Sequence, residues 1–274
     1  MNINLNRKIL NNKPLVEAIF EIRWRLEAES EVNIIDKDGM KHPTRVDPHY
    51  KLLIGQLYDK IKNDYPFHQE LPASKMPDEI SAYVIQHRFR KAENLWPLIQ
   101  IGPGILTVND TVDYVWGDFL VKIENVLKIL YEIYPKSDEN LMINGLMLRY
   151  IDAVDFDFDK DYVFDFLKNQ LKTEINLHPE LFKDTNVKRK PMKFDLKFDF
   201  KSENPKGLIF LRFSKGYNKD LNQYAILWET VVKSDQDDIP NDLNSIMKWI
   251  NNAHDLADDW FFKLIEGELE ERFS

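Results

Sequence analysis

The chain has 274 residues, of which 43% are hydrophobic and 30% are charged, the usual mixture of a globular protein. It contains no cysteine, which excludes disulfides, thiolate catalysis and zinc sites with cysteine ligands. The net charge of −9 argues against a general nucleic-acid binder, and the scarcity of glycine, at 9 residues, argues against a glycine-rich phosphate loop.

The first predicted element is a long strand. In residues 16–26 every even position is apolar and most odd positions are charged, and this period of two predicts a half-buried antiparallel strand. Residues 27–47 are polar and predict a loop that could carry a short edge strand. A helix is predicted over 48–65, where Pro48 occupies the first turn, and the prolines that follow predict a loop as far as residue 79.

Three β-rich runs and a helix complete the first half. The runs are 82–90, 95–101 and 105–108, and a Gly-Pro-Gly turn joins the last two. Apolar residues at helical spacing then follow from Val115 to Leu130, and Pro135 ends this helix.

The second half opens as the first does. Its predicted elements are a strand (141–158), a helix (162–171), three strands (192–200, 208–214 and 223–232) and a final long helix capped by Asn241 or Asp242. Gly216 and Asn218 predict a turn between the last two strands, and the acidic tail 266–272 is expected to fray.

The order strand, helix, three strands, helix therefore occurs twice. It predicts an α+β fold of two similar β-α-β-β-β-α halves, residues 1–136 and 137–274, forming one or two antiparallel sheets with long helices packed on one face. The two halves could also form one integrated domain. Residue identity between them is weak, so the repeat is one of pattern, and coincidence is the alternative explanation.

Four segments carry a family resemblance. Residues 13–24, KPLVEAIFEIRW, resemble the opening of a sporadically distributed family of uncharacterised, mostly bacterial proteins of similar length. Segments 99–103, 148–151 and 249–255 are also similar to that family. The resemblance implies one unit over nearly the whole chain and no established activity or catalytic residues. A patchy distribution would suit mobile or defence-related loci.

Charged residues on the two leading strands form the first candidate site. Arg149 lies among apolar residues, and a buried charge needs a partner, so we expect Glu17 or Glu21 of the first strand to pair with it. The pair would be structural or would bind an anion. Glu17, Glu21 and Arg23 share one strand face, where the paired carboxylates could do acid–base work. The same alternation of charges is the pattern of a solvated sheet surface, which is the preferred interpretation.

His254 is the second candidate, because it interrupts the apolar stripe of the final helix. It is either a buried base or ligand with Asp255, Asp258 or Asp259 nearby, or a core-edge histidine bonded to a carbonyl or to a neighbouring strand. No metal site is predicted, since the 6 histidines are scattered and zinc needs three or four ligands. The acidic run 152–161 lacks the pattern of a calcium loop and predicts a solvated strand exit, with a weak magnesium site as the alternative.

Two further groups are weaker signals. Arg88, Trp96, Arg212 and Trp228 lie in predicted strands and could stack on nucleobases, although strand rings are usually core. The basic cluster 188–190 is typical of a solvated surface.

The sequence thus favours a non-catalytic binding or protein-interaction module with no cofactor. We expect the partner to be a protein or a small ligand, and an oligomer is an open option. No membrane partner is expected, because no run of the sequence approaches about 20 apolar residues. Residues 1–15 lack the apolar core of a signal peptide, which favours the cytoplasm. The alternative is an enzyme or ligand sensor with a polar site between the halves, built from Arg149, Glu17, Glu21 and His254. A nucleic-acid-associated protein is the weaker alternative.

Overall fold

The computed structural model describes residues 10–35, 41–111, 113–135, 141–219, 222–234, 239–240 and 242–274. These residues form an α+β protein with a nine-stranded antiparallel sheet, a separate two-stranded sheet and five α-helices. In chain order the elements are β1 (Leu15–Trp24), β2 (Glu27–Ile35), β3 (Lys41–Val46), α1 (Tyr50–Ile61), β4 (Phe67–Glu70), β5 (His87–Arg90), β6 (Leu98–Gly102), β7 (Ile105–Asp110), α2 (Trp116–Ile133), β8 (Ile143–Asp155), α3 (Val163–Gln170), β9 (Asp195–Glu203), β10 (Lys206–Asn218), β11 (Gln223–Lys233), α4 (Leu243–Ile265) and α5 (Glu268–Phe273).

The two leading strands lie side by side in the middle of the large sheet. The strand order is β4-β5-β6-β7-β1-β8-β11-β10-β9, so β1 and β8 are the central pair and strands of both sequence halves join one sheet. In this pair Ile19 lies opposite Arg149. All neighbours are antiparallel.

The alternation predicted for β1 is confirmed. Ala18, Phe20, Ile22 and Trp24 are fully buried, while the residues between them are only half-buried. Burying such side chains contributes roughly 1.5–3 kcal/mol each. The buried row is therefore what fixes the strand's register, because a slip by one residue would expose it.

Two clusters of buried side chains form the core. The larger one combines the buried row of β1 and residues of β7 and β8 with side chains of α1, α2 and α4. The second combines the far ends of β8, β10 and β11 with α3, the end of α4 and α5. The long helix α4 contributes to both clusters, and its N-terminus is capped by Asp242, whose Oδ1 accepts a hydrogen bond from the Ser245 amide.

Four expectations from the sequence were wrong in detail. The region expected to be a loop with at most one short strand carries the hairpin β2–β3, and the loop expected before residue 79 contains β4. The turn expected at Gly216 is absent because β10 continues to Asn218. A Cβ at Gly216 would lie 2.6 Å from Leu227 Cγ, so this glycine serves close packing between strands. The tail expected to fray forms α5, anchored by buried Leu269 and Phe273.

Gly102 shows how the end of β6 is built. A Cβ at this position would lie 1.9 Å from the carbonyl oxygen of Val84, so only glycine fits under the segment that crosses here. The amide of Gln86 donates to the Ile101 carbonyl and that of Tyr83 to the Pro103 carbonyl, which fixes the crossing segment. Side chains alternate along a strand, so this segment lies on the side of the sheet opposite to buried Ile101.

Candidate functional site

The side of the sheet opposite to the buried row of β1 carries most of the candidate residues. We call it the polar face. Glu17 and Glu21 lie on it because they alternate with the buried residues of β1, and Arg149 lies on it because it is opposite Ile19. The structure therefore places these three predicted residues on adjacent strands and on one face.

An ion-pair row crosses four strands of this face, and consists of Arg149, Glu229, Arg212 and Asp195. Arg149 Nη2 lies 2.6 Å from Glu229 Oε2, and Arg212 Nη1 donates to Glu229 Oε1 at 2.9 Å. Arg212 also donates from Nε and Nη2 to the two oxygens of Asp195 at 2.7 and 3.0 Å, a bidentate geometry. These hydrogen bonds from Arg212 lower the pKa of the Asp195 carboxyl.

Glu229 is the centre of the ion-pair row. It is buried, with 8% of its surface exposed, and each of its two carboxylate oxygens meets a different guanidinium. The expectation that Arg149 pairs with Glu17 or Glu21 was wrong, because β11 lies on the other flank of β8 and brings Glu229 to it.

An amide row crosses the other flank of β1, and consists of Arg88, Gln100, Thr107, Asn109 and Glu17. Arg88 Nε donates to Gln100 Oε1 at 2.9 Å, the Gln100 amide donates to Thr107 and Asn109, and Asn109 Nδ2 donates to Glu17 Oε1 at 2.8 Å. Thr107 and Asn109 are buried. Burial also lowers the pKa of the Arg88 guanidinium. The amide row therefore holds Glu17 in place from one side.

Four aliphatic side chains on β1, β8 and β11, which we call the aliphatic strip, flank the two rows. Ile19, Met147, Ile151 and Val231 are half-buried, and none of them belongs to either core cluster. Beside them Arg23 forms an ion pair with Glu21 at 2.7 Å. The polar face thus alternates partly exposed apolar side chains with charged groups whose partners are already in place.

His254 lies on the opposite side of the sheet. The residue is 5% exposed, its Nδ1 is 2.9 Å from the Tyr150 hydroxyl, and its ring stacks on Trp116 with the centroids 3.8 Å apart. The Tyr150 hydroxyl is also 2.9 Å from that of Tyr114. This arrangement fits the expected core-edge histidine bonded to a neighbouring strand.

The four predicted residues consequently do not share one pocket. Tyr150 and Arg149 are consecutive in β8, so their side chains leave the sheet on opposite sides. His254 contacts Tyr150 and therefore lies on the side of the sheet opposite to Arg149. Their roles in ligand binding stay a prediction.

Asp152 is a buried carboxyl that the sequence placed in a solvated strand exit, and that placement was wrong for this residue. It is 3% exposed and shares the helix-packed side of β8 with Tyr150. Burial raises the pKa of its carboxyl to about 8. In the part of the chain that the structure describes, no cation pairs with it, and the indole Nε1 of Trp228, its cross-strand neighbour, is buried without a hydrogen-bond partner.

Sequence reasoning missed Glu229 and Asp195 altogether and considered Arg212 only for base stacking. The signal that was present is an acidic residue inside an apolar strand, at Glu229, which demands a partner just as Arg149 does.

No protein-family model matches the chain, and no curated protein matches it significantly. Among the described residues, no helix combines the length and apolar character that crossing a membrane requires. Within the same ranges, no three histidine, aspartate or glutamate side chains are grouped so that they could hold a metal ion.

Proposed function

We propose that this chain is a non-catalytic binding protein that docks a partner protein on its polar face. The observation that carries the proposal is the alternation of half-buried aliphatic residues with pre-formed arginine–carboxylate pairs across β1, β8, β11 and β10. Protein interfaces are enriched in arginine and in apolar anchors, and pre-formed pairs reduce the ordering cost of association.

The paired charges of the two rows and the net charge of the whole chain favour a protein partner over a polyanion. The ion-pair row, the amide row and the Glu21–Arg23 pair together contain four arginines and four carboxylates, whereas the whole chain carries −9. Nucleic-acid binding gains most from an excess of cations, which these residues lack. Trp228 is fully buried and cannot stack on a base, which weakens the nucleic-acid alternative further.

The proposal is tested by charging two residues of the aliphatic strip, Met147 and Val231, which flank Arg149. Met147→Glu combined with Val231→Glu is expected to weaken binding of a partner, recovered from lysate of the source cells, by at least about tenfold, or 1.4 kcal/mol. Affinity would be measured with the purified partner by calorimetry.

The matched control is Leu52→Glu combined with Val121→Glu, which charges two exposed apolar residues on α1 and α2. This variant is expected to bind as the wild type does, and circular dichroism would verify that both variants are folded. Equal binding by the strip variant and the wild type would contradict the proposal, as would the absence of any specific partner.

We also infer that the chain is a duplication whose halves meet at the polar face. Moving outward from the central pair, β7, β6 and β5 on one side correspond in chain order to β11, β10 and β9 on the other. Each half then contributes one row of polar contacts, and the core clusters support helices packed on the opposite side. The aliphatic strip lies across this junction.

A ligand sensor or enzyme is the second candidate, and the hydrogen-bonded chain Tyr114–Tyr150–His254 favours it. Two phenols and an imidazole in sequence can move a proton between α4 and the start of α2. A small-molecule screen by thermal shift is expected to find a ligand that raises the Tm of the wild type and of Tyr217→Phe, an exposed tyrosine control, but not of Tyr150→Phe. A screen in which Tyr150→Phe responds like the wild type would exclude this site.

A further inference from the structure

Two histidines that are 19 residues apart in sequence meet at the edge of the large sheet. His68 in β4 and His87 in β5 lie on the same face, because Glu70 is opposite His87 and His68 is opposite Phe89. The distance between His68 Nε2 and His87 Nδ1 is 2.9 Å, and the two rings are nearly parallel, with centroids 5.2 Å apart. One ring donates a hydrogen and the other accepts it.

Aromatic side chains pack around the pair at this edge of the sheet. His68 stacks on Phe89 with centroids 5.0 Å apart, and Tyr58 of α1 also stacks on Phe89, with centroids 5.8 Å apart. His87 lies 6.2 Å from the ring of Tyr50. His68 is exposed and His87 is partly buried, so the hydrogen bond between them lies at the surface. The pair is therefore accessible from outside.

The spacing suits chelation as well as a hydrogen bond. Two nitrogens 2.9 Å apart can both reach one ion at the Zn–N distance of about 2.0–2.1 Å once each ring turns its lone pair from the other nitrogen towards the ion. The hydrogen between them moves to the other nitrogen of its own ring, so two neutral imidazoles bind the ion without a net loss of protons. Imidazole ligands select zinc, copper and nickel over the hard ions magnesium and calcium.

Glu70 adds a favourable charge beside the pair. It is the cross-strand partner of His87, and one of its carboxylate oxygens accepts a hydrogen bond from the Ser74 hydroxyl. It contributes attraction for a cation rather than a bond. Among the described residues no third protein ligand converges with the pair, so an ion bound here would take its remaining ligands from water.

We propose that His68 and His87 form a binding site for one divalent transition-metal ion, of the zinc, copper or nickel type. The bound ion joins the short edge strand β4 to β5, and so stabilises this edge of the sheet. The site lies apart from the polar face and does not depend on the function proposed for that face.

The test is a calorimetric titration of the untagged full-length protein with Zn²⁺ and with Ni²⁺ alone at pH 7.5. One equivalent is expected to bind, and His68→Gln combined with His87→Gln is expected to weaken binding at least about tenfold. His178→Gln is the matched control, because His178 is exposed and lies in a separate loop. This control should bind as the wild type does, and Mg²⁺ should not compete.

A second measurement separates loss of the site from loss of the fold. Saturating Zn²⁺ is expected to raise the Tm of the wild type and of His178→Gln, while the double variant keeps the metal-free Tm of the wild type within about 3 °C and shows no rise. Equal zinc affinity in the wild type and the double variant would overturn the proposal. No saturable binding by the wild type would overturn it too, and would leave a neutral hydrogen-bonded pair only.

Discussion

Replacing Asp152 with asparagine is expected to stabilise the protein by up to about 4 kcal/mol at pH 7 and by almost nothing near pH 4. The carboxyl is 3% exposed, and burial raises its pKa to about 8. In the unfolded chain an aspartate has a pKa near 3.9. The free energy of unfolding would be measured by urea denaturation between pH 4 and pH 9.

The sign follows from the proton count. Between about pH 4 and pH 8 the folded protein keeps the Asp152 proton and the unfolded chain loses it, so the free energy of unfolding falls by about 1.4 kcal/mol for each pH unit. Asparagine cannot ionise and removes this slope. The difference in the free energy of unfolding between the variant and the wild type should therefore increase as pH rises and become constant above pH 8.

Asp155→Asn is the control for this experiment, because Asp155 lies in the same strand but is exposed. It should change stability by less than about 0.5 kcal/mol at every pH. If the difference in the free energy of unfolding between Asp152→Asn and the wild type did not depend on pH, ionisation of the Asp152 carboxyl would not be what destabilises the folded protein.

Glu229→Gln is expected to destabilise the protein by about 2–3 kcal/mol. The change leaves Arg149 without its carboxylate partner and removes one of the two partners of Arg212. Breaking a fully buried ion pair costs about 3–5 kcal/mol, and the partial exposure of Arg149, at 31% of its side chain, reduces that cost. Chemical denaturation at pH 7 measures the loss.

A double-mutant cycle with Arg149→Met isolates the pair. The coupling energy between Arg149 and Glu229 is expected to be about 1–3 kcal/mol, because the double variant leaves no unpaired charge at this contact. Glu124→Gln, which breaks an exposed helical pair with Lys128, should cost less than about 0.5 kcal/mol. A coupling no larger than this control would show that the ion-pair row does not stabilise the polar face.

The sequence predicted elements well where burial is one-sided. The period of two in β1 and the apolar stripe of α4 both come from a face packed against the core, so each could be read without a structure. It failed where neighbours decide the conformation. β4 has no buried residue, and only its pairing with β5 makes it a strand.

The candidate site shows the same division. The need of Arg149 for a partner could be predicted from its apolar strand, but the identity of Glu229 depends on β11 being the next strand in the sheet. In the same way the hydrogen bond between His254 and Tyr150 requires α4 to cross β8, which no local pattern encodes. Strand order is a property of the whole chain, and it selects the partners.

The central place of β1 has a consequence for synthesis on the ribosome. Its neighbour β8 lies about 130 residues downstream, so at 5–20 residues per second roughly 10 s pass before that strand exists. During this interval one edge of a ten-residue strand rich in Ile, Phe and Trp has no pairing partner from its own sheet. Because an unpaired strand edge can pair with another chain, we expect the nascent protein to be prone to aggregation during this interval.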